Sequence, residues 1–516
     1  MTRATTSAAW QALAAHRDAI AGVTVADRLA AEPDRFAAFA HELGGLLLDL
    51  SKTRIGADTL DLLVDLARAA DVEGACARML AGAVVNPTEG RAALHTALRD
   101  RSGLTGGGAA AEAEATRQRM ADVVRALRGG ETTDVVAIGI GGSYLGPLLV
   151  ARALADGNGP AVHFVANVDG HDLAGVLDAV PPETTEFLVA SKTFTTQETL
   201  TNAETAKAWL IDRLGADAVA GRFAAMTANL GAAAAFGIPA DRVFPIWDWV
   251  GGRFSLWSAV GLPAAVALGW RRFEALLDGA HAMDRHFAEA PLAENLPVLA
   301  ALAGIWHIDF EDLGALAVVP YDERLALLPA YLQQLEMESN GKAVGLDGEP
   351  LTAAPAPVVF GEPGTNAQHS FHQWLHQGPR AAAVDFIAAA RPGHGLGGHH
   401  DTLLANMLAQ SEALAFGTEG DGHPHRACPG NRPSATILLE ELDARRLGML
   451  IALYEHKVFV QGVIWGLNSF DQFGVELGKR LAKRLLPAVA GNAAADVDSS
   501  TAGLLARLRA WRDAVE

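Results

Sequence analysis

Cysteine is nearly absent: Cys76 and Cys428 are the only two in 516 residues. Two thiols cannot build a disulfide framework, so a reducing compartment, the cytoplasm, is expected. Positive charge is also short, with 41 lysines and arginines against 60 aspartates and glutamates and a formal net charge of −19. Such a chain is a poor candidate for nucleic acid as a partner. No run of about 18 apolar residues occurs, so no membrane span is expected. Residues 1–20 lack the apolar core of a secretory leader. What is there is a globular balance, 50% hydrophobic and 20% charged, in a chain long enough for several domains. Any site for an anion must then collect its few cations locally.

The first 105 residues read as mostly helical and carry no strong chemistry, their segments 49–54 and 86–91 looking like scaffolding at helix starts. Val135-Val136-Ala137-Ile138-Gly139-Ile140 is different: an unbroken apolar run, as for a strand buried on both faces of a parallel sheet. It leads into Gly141-Gly142-Ser143 and a helix expected over 146–154. Strand, glycine turn and helix start aim backbone N–H groups at an anion or polyol. No nucleotide is named by it, because Tyr144 stands where a dinucleotide fingerprint needs glycine and Pro147 where a Walker loop needs lysine.

Residues 162–169 and 186–190 repeat the strand pattern, the second entering Ser191-Lys192-Thr193-Phe194-Thr195-Thr196-Gln197-Glu198-Thr199. Hydroxyls, free amides, a helix N-terminus and one ammonium suit a phosphate monoester. Further on, Gly251-Gly252 turns Arg253 in among aromatic residues, where a guanidinium is costly unless it meets an anion.

A second α/β block begins near residue 276. Leu325, Leu328, Leu332 and Leu335 recur at helical spacing, and Pro329 predicts a kink or a later start. Gly341 is expected to stop this helix in the left-handed conformation. Glu338 then lies in the last turn, a candidate general base, with Gln334 one turn back on the same face. Residues 357–378 read as strand, Gly/Pro loop and a helix that follows His369, and 439–467 as a long apolar helix. Gln472 and Lys479 are expected two turns apart on one helical face. The Gly/His-rich residues 391–400, with His423 and His425, form no ligand ladder, and no metal is expected.

Taken in order, Asp49-Leu50-Ser51-Lys52, Asn86-Pro87-Thr88-Glu89, residues 139–147, 191–199, 251–255, 338–342, 364–378, 429–433 and 474–479 resemble the glucose-6-phosphate isomerase (phosphoglucose isomerase) family. The resemblance implies an α/β fold with two sugar isomerase domains, each a parallel sheet flanked by helices. A helical N-terminal region would span 1–105, a first, smaller domain 106–275, and a second domain 276–516 with a C-terminal helical arm. It implies an aldose–ketose isomerase of glycolysis and gluconeogenesis, acting on a small sugar phosphate. It also implies a homodimer with shared active sites, and neither metal nor organic cofactor.

By matching motif positions, Glu338 resembles the base that moves a proton between C1 and C2, and Arg253 the cation that holds the enediolate. His369 and Lys479 resemble the groups that open the sugar ring. Ser191, Lys192, Thr193 and Thr196 resemble the phosphate cradle, with Gly142, Ser143, Gln334 and Gln472 on the remaining polar groups. Tyr144 stands where the family commonly has an acid, and His372 and Trp374 are unusual after His369. These departures bear on affinity or selectivity.

Overall fold

The apolar run at residue 135 lies inside a parallel sheet, in a computed structural model that describes residues 4–491 and 496–514. Among the described residues the strands are β1 (Ala40–Leu43), β2 (Leu46–Asp49), β3 (Asp134–Ile138), β4 (Ala161–Val165), β5 (Thr185–Ala190), β6 (Phe223–Thr227), β7 (Val243–Pro245), β8 (Ala315–Tyr321), β9 (Val358–Gly361), β10 (Ala383–Ala389) and β11 (Ser434–Leu439). The first sheet, ordered β4-β3-β5-β6-β7, is parallel throughout, with Val136 beside both His163 and Phe187. Helices such as Leu145–Leu154 and Gln197–Leu214 connect its strands, which is why its strands read as continuous apolar runs.

The second sheet is ordered β1-β2-β11-β10-β8-β9. Its β11, β10, β8 and β9 are parallel, and a hairpin from the N-terminal region joins them through antiparallel β2, Leu48 facing Ile437. The mostly helical reading of residues 1–105 therefore needs this correction. The hairpin is short and leucine-rich, so its composition mimics a helix. Its turn is Gly44-Gly45, with φ of 56° and 82°, the left-handed pair that a two-residue hairpin loop requires.

Helix Ala444–Trp465 is buried along nearly its whole length. It is, among the described residues, the one helix long and apolar enough to cross a membrane, yet 94% of its apolar window is enclosed by protein. It packs on helix Trp270–Glu289 at backbone contact: a Cβ on Gly279 would overlap the Arg445 carbonyl, and one on Gly448 the Leu276 carbonyl. Such close approach is a use of glycine inside helices that outweighs its weak propensity.

The same interface holds buried charge. Arg99 pairs with Asp284 (2.7 Å) and Glu455 (2.6 Å), and Glu455 accepts from the Trp257 indole at 2.7 Å. Burial alone would push the Asp284 carboxyl up, but Arg99 and His456 hold it well below the usual carboxylate range. Glu455 goes the other way, raised by burial that Arg99 only partly offsets. The network fixes the turn Gly252–Trp257, which carries Arg253.

Contacts divide the chain after Phe470. The part from Asp471 onward holds helices Glu476–Val489 and Ser499–Asp513, tied by Arg509 donating to the Ala488 carbonyl at 2.8 Å. Both helices expose large apolar side chains, among them Leu477, Leu486, Leu504 and Trp511.

Candidate active site

In parallel sheets, ligands bind beyond the C-terminal ends of the strands. At that end of the first sheet, neighbours β3 and β5 release two loops, residues 139–144 and 191–196. The loop after β3 turns at Gly141, whose φ is 59°, and runs through Gly142 and Ser143 into helix Leu145–Leu154. A Cβ on Gly142 would overlap the Gly252 carbonyl, so these two turns meet backbone to backbone. The Ser255 hydroxyl lies between them, 2.6 Å from the Gly252 carbonyl and 3.4 Å from the Gly142 carbonyl, within donating reach of both.

That contact places Arg253. Its side chain is 1% exposed and donates to the Ser339 hydroxyl and the Ser469 carbonyl, each at 2.6 Å. Its Nη1 lies 3.5 Å from Glu338 Oε2, and Gln334 donates to the same oxygen at 2.9 Å. Glu338 itself is 22% exposed. One carboxylate oxygen is thus held by an amide and faced by a guanidinium at an opening to solvent.

The helix that presents Glu338 meets the sequence expectation in its start and departs from it in its last turn. It starts late, Leu328–Gln333 with Pro329 in its first turn, as that proline predicts, but it then widens into a π-turn, Gln334–Glu338. Such wide turns occur frequently at functional sites, and no spacing rule reveals them. Gly341 does follow the last turn, but it is not among the glycines with positive φ. Glycine is needed there because a Cβ would overlap the Met337 carbonyl.

The loop after β5 is shaped by its own hydroxyls. Ser191 donates to Thr196 at 3.1 Å and Thr193 pairs with Thr195 at 2.7 Å. Phe194 is buried at φ 52°, a conformation costly for a bulky residue and concentrated at ligand-binding loops. Helix Gln197–Leu214 starts at Thr196 with no side-chain cap, which leaves N-terminal amides for an anion. Lys192 donates to the carbonyls of Asp248 and Val250, both at 3.2 Å. Burial holds its ammonium below the ordinary lysine value, with Asp248 offsetting part of that. Through Val250 the loop is connected to the Gly251–Arg253 turn.

Gly142, Arg253, Gln334 and Glu338 therefore form one corner, with Ser143 in the same loop as Gly142. Ser191, Lys192, Thr193 and Thr196 form a second group. His369 ends the short helix Gly364–Gln368, is exposed, and makes no hydrogen bond or ion pair with Glu338 of its own chain. Lys479 lies beyond Phe470 on helix Glu476–Val489, 58% exposed and bonded to Glu476 at 2.8 Å. Gln472 precedes that helix, ahead of the turn Phe473–Val475, so the two do not share a helical face as expected.

Several participants give no sequence signal of their own. Asn340 donates to the Val458 carbonyl at 2.9 Å and accepts from Ser469 at 2.7 Å. Asn468 bonds both Asn86 (2.8 Å) and Thr88 (2.7 Å), so the segment at 86–89 backs the strand of contacts behind Arg253. One His-x-x-x-His pair does exist, His372 and His376, outside the stretch where the sequence reading looks for ligands. Both rings bond Gln410 Oε1, at 3.0 and 2.8 Å, and His372 Nε2 is buried without a partner. A metal on His372 Nδ1 would force the proton onto that unpartnered nitrogen, so the pair is a poor ligand set.

A family model described as Phosphoglucose isomerase matches residues 49–505. A protein from Dechloromonas aromatica named glucose-6-phosphate isomerase is 50% identical, over 98% of this chain and 99% of its own. One of the same name from Mesorhizobium japonicum is 51% identical over 97% of each. Among solved structures, a glucose-6-phosphate isomerase from Chlamydia trachomatis superposes with a TM-score of 0.88 at 31% identity, covering 99% of this chain and 100% of the other. A hypothetical protein from Thermus thermophilus gives 0.69 at 26% identity, covering 86% of this chain and 99% of the other.

Proposed function

The chain belongs to the phosphoglucose isomerase family, and on that premise we propose that it interconverts glucose 6-phosphate and fructose 6-phosphate, as a step of glycolysis and gluconeogenesis. The observation that carries the mechanism is the shared Glu338 oxygen, 2.9 Å from Gln334 and 3.5 Å from Arg253. Glu338 takes the proton from C2 of the open-chain aldose, and the C–H electrons form the enediolate. The proton returns to C1, while the hydroxyl proton on O2 moves to O1. Atoms and electrons balance without an oxidant or reductant. Arg253, fixed before substrate arrives, stabilises the enediolate charge with no reorganisation.

The phosphate is held by Ser191, Lys192, Thr193 and Thr196 with the uncapped amides of helix Gln197–Leu214. Gly142, Ser143, Gln334 and Gln472 serve the remaining polar groups. Binding energy from this remote end positions C1 and C2 over the base. His369 and Lys479 open the ring. The exposure of His369, and the lack of a hydrogen bond or ion pair between it and Glu338 of its own chain, support a homodimer in which the partner's His369 completes each site. Two free cysteines, Cys76 and Cys428, fit a cytoplasmic location.

The test is direct. Purified protein given fructose 6-phosphate alone, with a chelator present, should produce glucose 6-phosphate, whereas unphosphorylated fructose should turn over very poorly. Equal efficiency on the two ketoses would remove the phosphate-cradle reading, and no product from either would remove the activity.

A further inference from the structure

The π-turn that presents Glu338 carries a second glutamate, Glu336, and two residues apart on a helix do not face the same way. Glu336 points inward and is 2% exposed. Its Oε2 accepts from Lys457 at 2.7 Å, and Lys457 also donates to Gln461 Oε1 at 3.3 Å. Lys457 belongs to the buried helix Ala444–Trp465. It lines an internal cavity of about 40 Å³ with His307, Asp385 and Gln461. Burial raises the Asp385 carboxyl, and Lys457 partly reverses this.

An ion pair inside a protein contributes little net stability, so its cost calls for another reason. The geometry supplies one. Glu336 is the one side chain of the widened turn that reaches the buried helix through a charge, while Asn340 repeats the tie one turn on, through the Val458 carbonyl at 2.9 Å. Arg253 grips the other side of the same turn at Ser339. A wide turn is an uncommon conformation that persists only when its surroundings over-determine it.

We propose that Glu336 and Lys457 are positioning residues for the isomerisation: their buried ion pair fixes the π-turn so that Glu338 is aimed at the substrate carbons and Arg253. This rests on the base role proposed for Glu338. The ion pair neither touches substrate nor serves the phosphate end. Its loss should therefore lower kcat while leaving binding intact, since a displacement of about 1 Å in a reacting group can cost about 10² in rate.

Glu336→Asp keeps both charges and shortens the tether by one methylene. It should lower kcat about tenfold to a hundredfold, with KM for fructose 6-phosphate and competitive inhibition by inorganic phosphate nearly unchanged. Glu336→Gln combined with Lys457→Met removes both charges at once, so no lone ion is left buried, and should give the same split. A kcat equal to wild type in Glu336→Asp overturns the positioning role. So does a parallel loss of kcat, substrate affinity and phosphate inhibition, which is what general loosening of the fold produces. Glu338→Gln measured alongside separates the two readings. If it stays active, the base assignment fails; if it is inactive while Glu336→Asp is normal, the positioning role alone falls.

Discussion

Two neighbouring parts of the site are finished to different degrees. At the Glu338 corner, Gln334, Arg253, Ser339 and Asn340 are all committed to protein partners. In the loop after β5, hydroxyls bond one another, Ser191 to Thr196 and Thr193 to Thr195, ahead of a helix without a side-chain cap. The roles proposed for Glu338 and Arg253 ask for a rigid corner, because a proton transfer tolerates little misplacement and an oriented cation acts without rearranging. The loop is built to exchange. On the phosphate role proposed for it, weak hydroxyl pairs would be given up for stronger charge-assisted bonds when the ligand arrives. On that proposal, chemistry is prepared in advance and binding is completed by the ligand.

Substitutions can break this contrast, and the largest effect belongs to the corner. Glu338→Gln keeps shape and the Gln334 contact but cannot accept a proton, so turnover should fall by roughly 10²–10⁴ or more. Inhibition by inorganic phosphate should remain, measured by competition in residual turnover or by calorimetry. Turnover within about tenfold of wild type would contradict the base role.

Arg253→Lys keeps a positive charge but loses the planar fork that holds Ser339 and Ser469 together. About a hundredfold loss in kcat is expected, with a smaller change in KM, from steady-state kinetics in both directions. A loss confined to KM would place Arg253 at the binding end instead.

In the loop the split should reverse. Lys192→Met should raise KM for fructose 6-phosphate about tenfold, the scale of one hydrogen bond to a charged group, and change kcat less. If kcat falls as far as KM rises, Lys192 acts mainly as the tie to the Val250 carbonyl and hence to the Arg253 turn.

The smallest effect tests whether the corner is complete in one chain. Glu338→Gln and His369→Ala, each inactive alone, would be unfolded together and refolded. Random assortment gives about half mixed dimers, each with one intact site of two if His369 serves the partner's site, so about a quarter of wild-type activity should return. No recovery, with mixed dimers verified by mass, would leave His369 acting in its own chain.

The contrast also explains what the sequence made legible. The loop after β5 is local: nine consecutive residues state its hydroxyls, its lysine and its helix start. β3, β5 and the buried helix near residue 450 are likewise readable, since continuous apolar runs follow from burial on all sides. The corner is assembled from residues 142, 253, 334–340 and 469, and nothing in local spacing says that a Gly142 turn meets a Gly252 turn. The π-turn is invisible for the same reason, being imposed by Arg253 on one side and Val458 and Lys457 on the other. Sequence spacing places Gln472 on a helix, and the structure does not, because a polar stretch before a helix start has no periodicity to exclude it. The β1–β2 hairpin was hidden because Leu46-Leu47-Leu48 takes its strand character from β11, nearly four hundred residues away.

That last pairing matters while the chain is being made. Synthesis proceeds from the N-terminus at about 5–20 residues per second, and domains ordinarily fold as they emerge. Here β2 must wait for β11, and the second sheet must wait for helix Ala444–Trp465. The first sheet, complete by Pro245, can form while the ribosome is still far from the end. Strand β2 has only its hairpin mate β1 on one edge, and the face of helix Trp270–Glu289 that meets helix Ala444–Trp465 stays uncovered, until the message is almost read. A nascent chain stalled near residue 430 would therefore display a half-built second core, making it a ready client for chaperones and proteases.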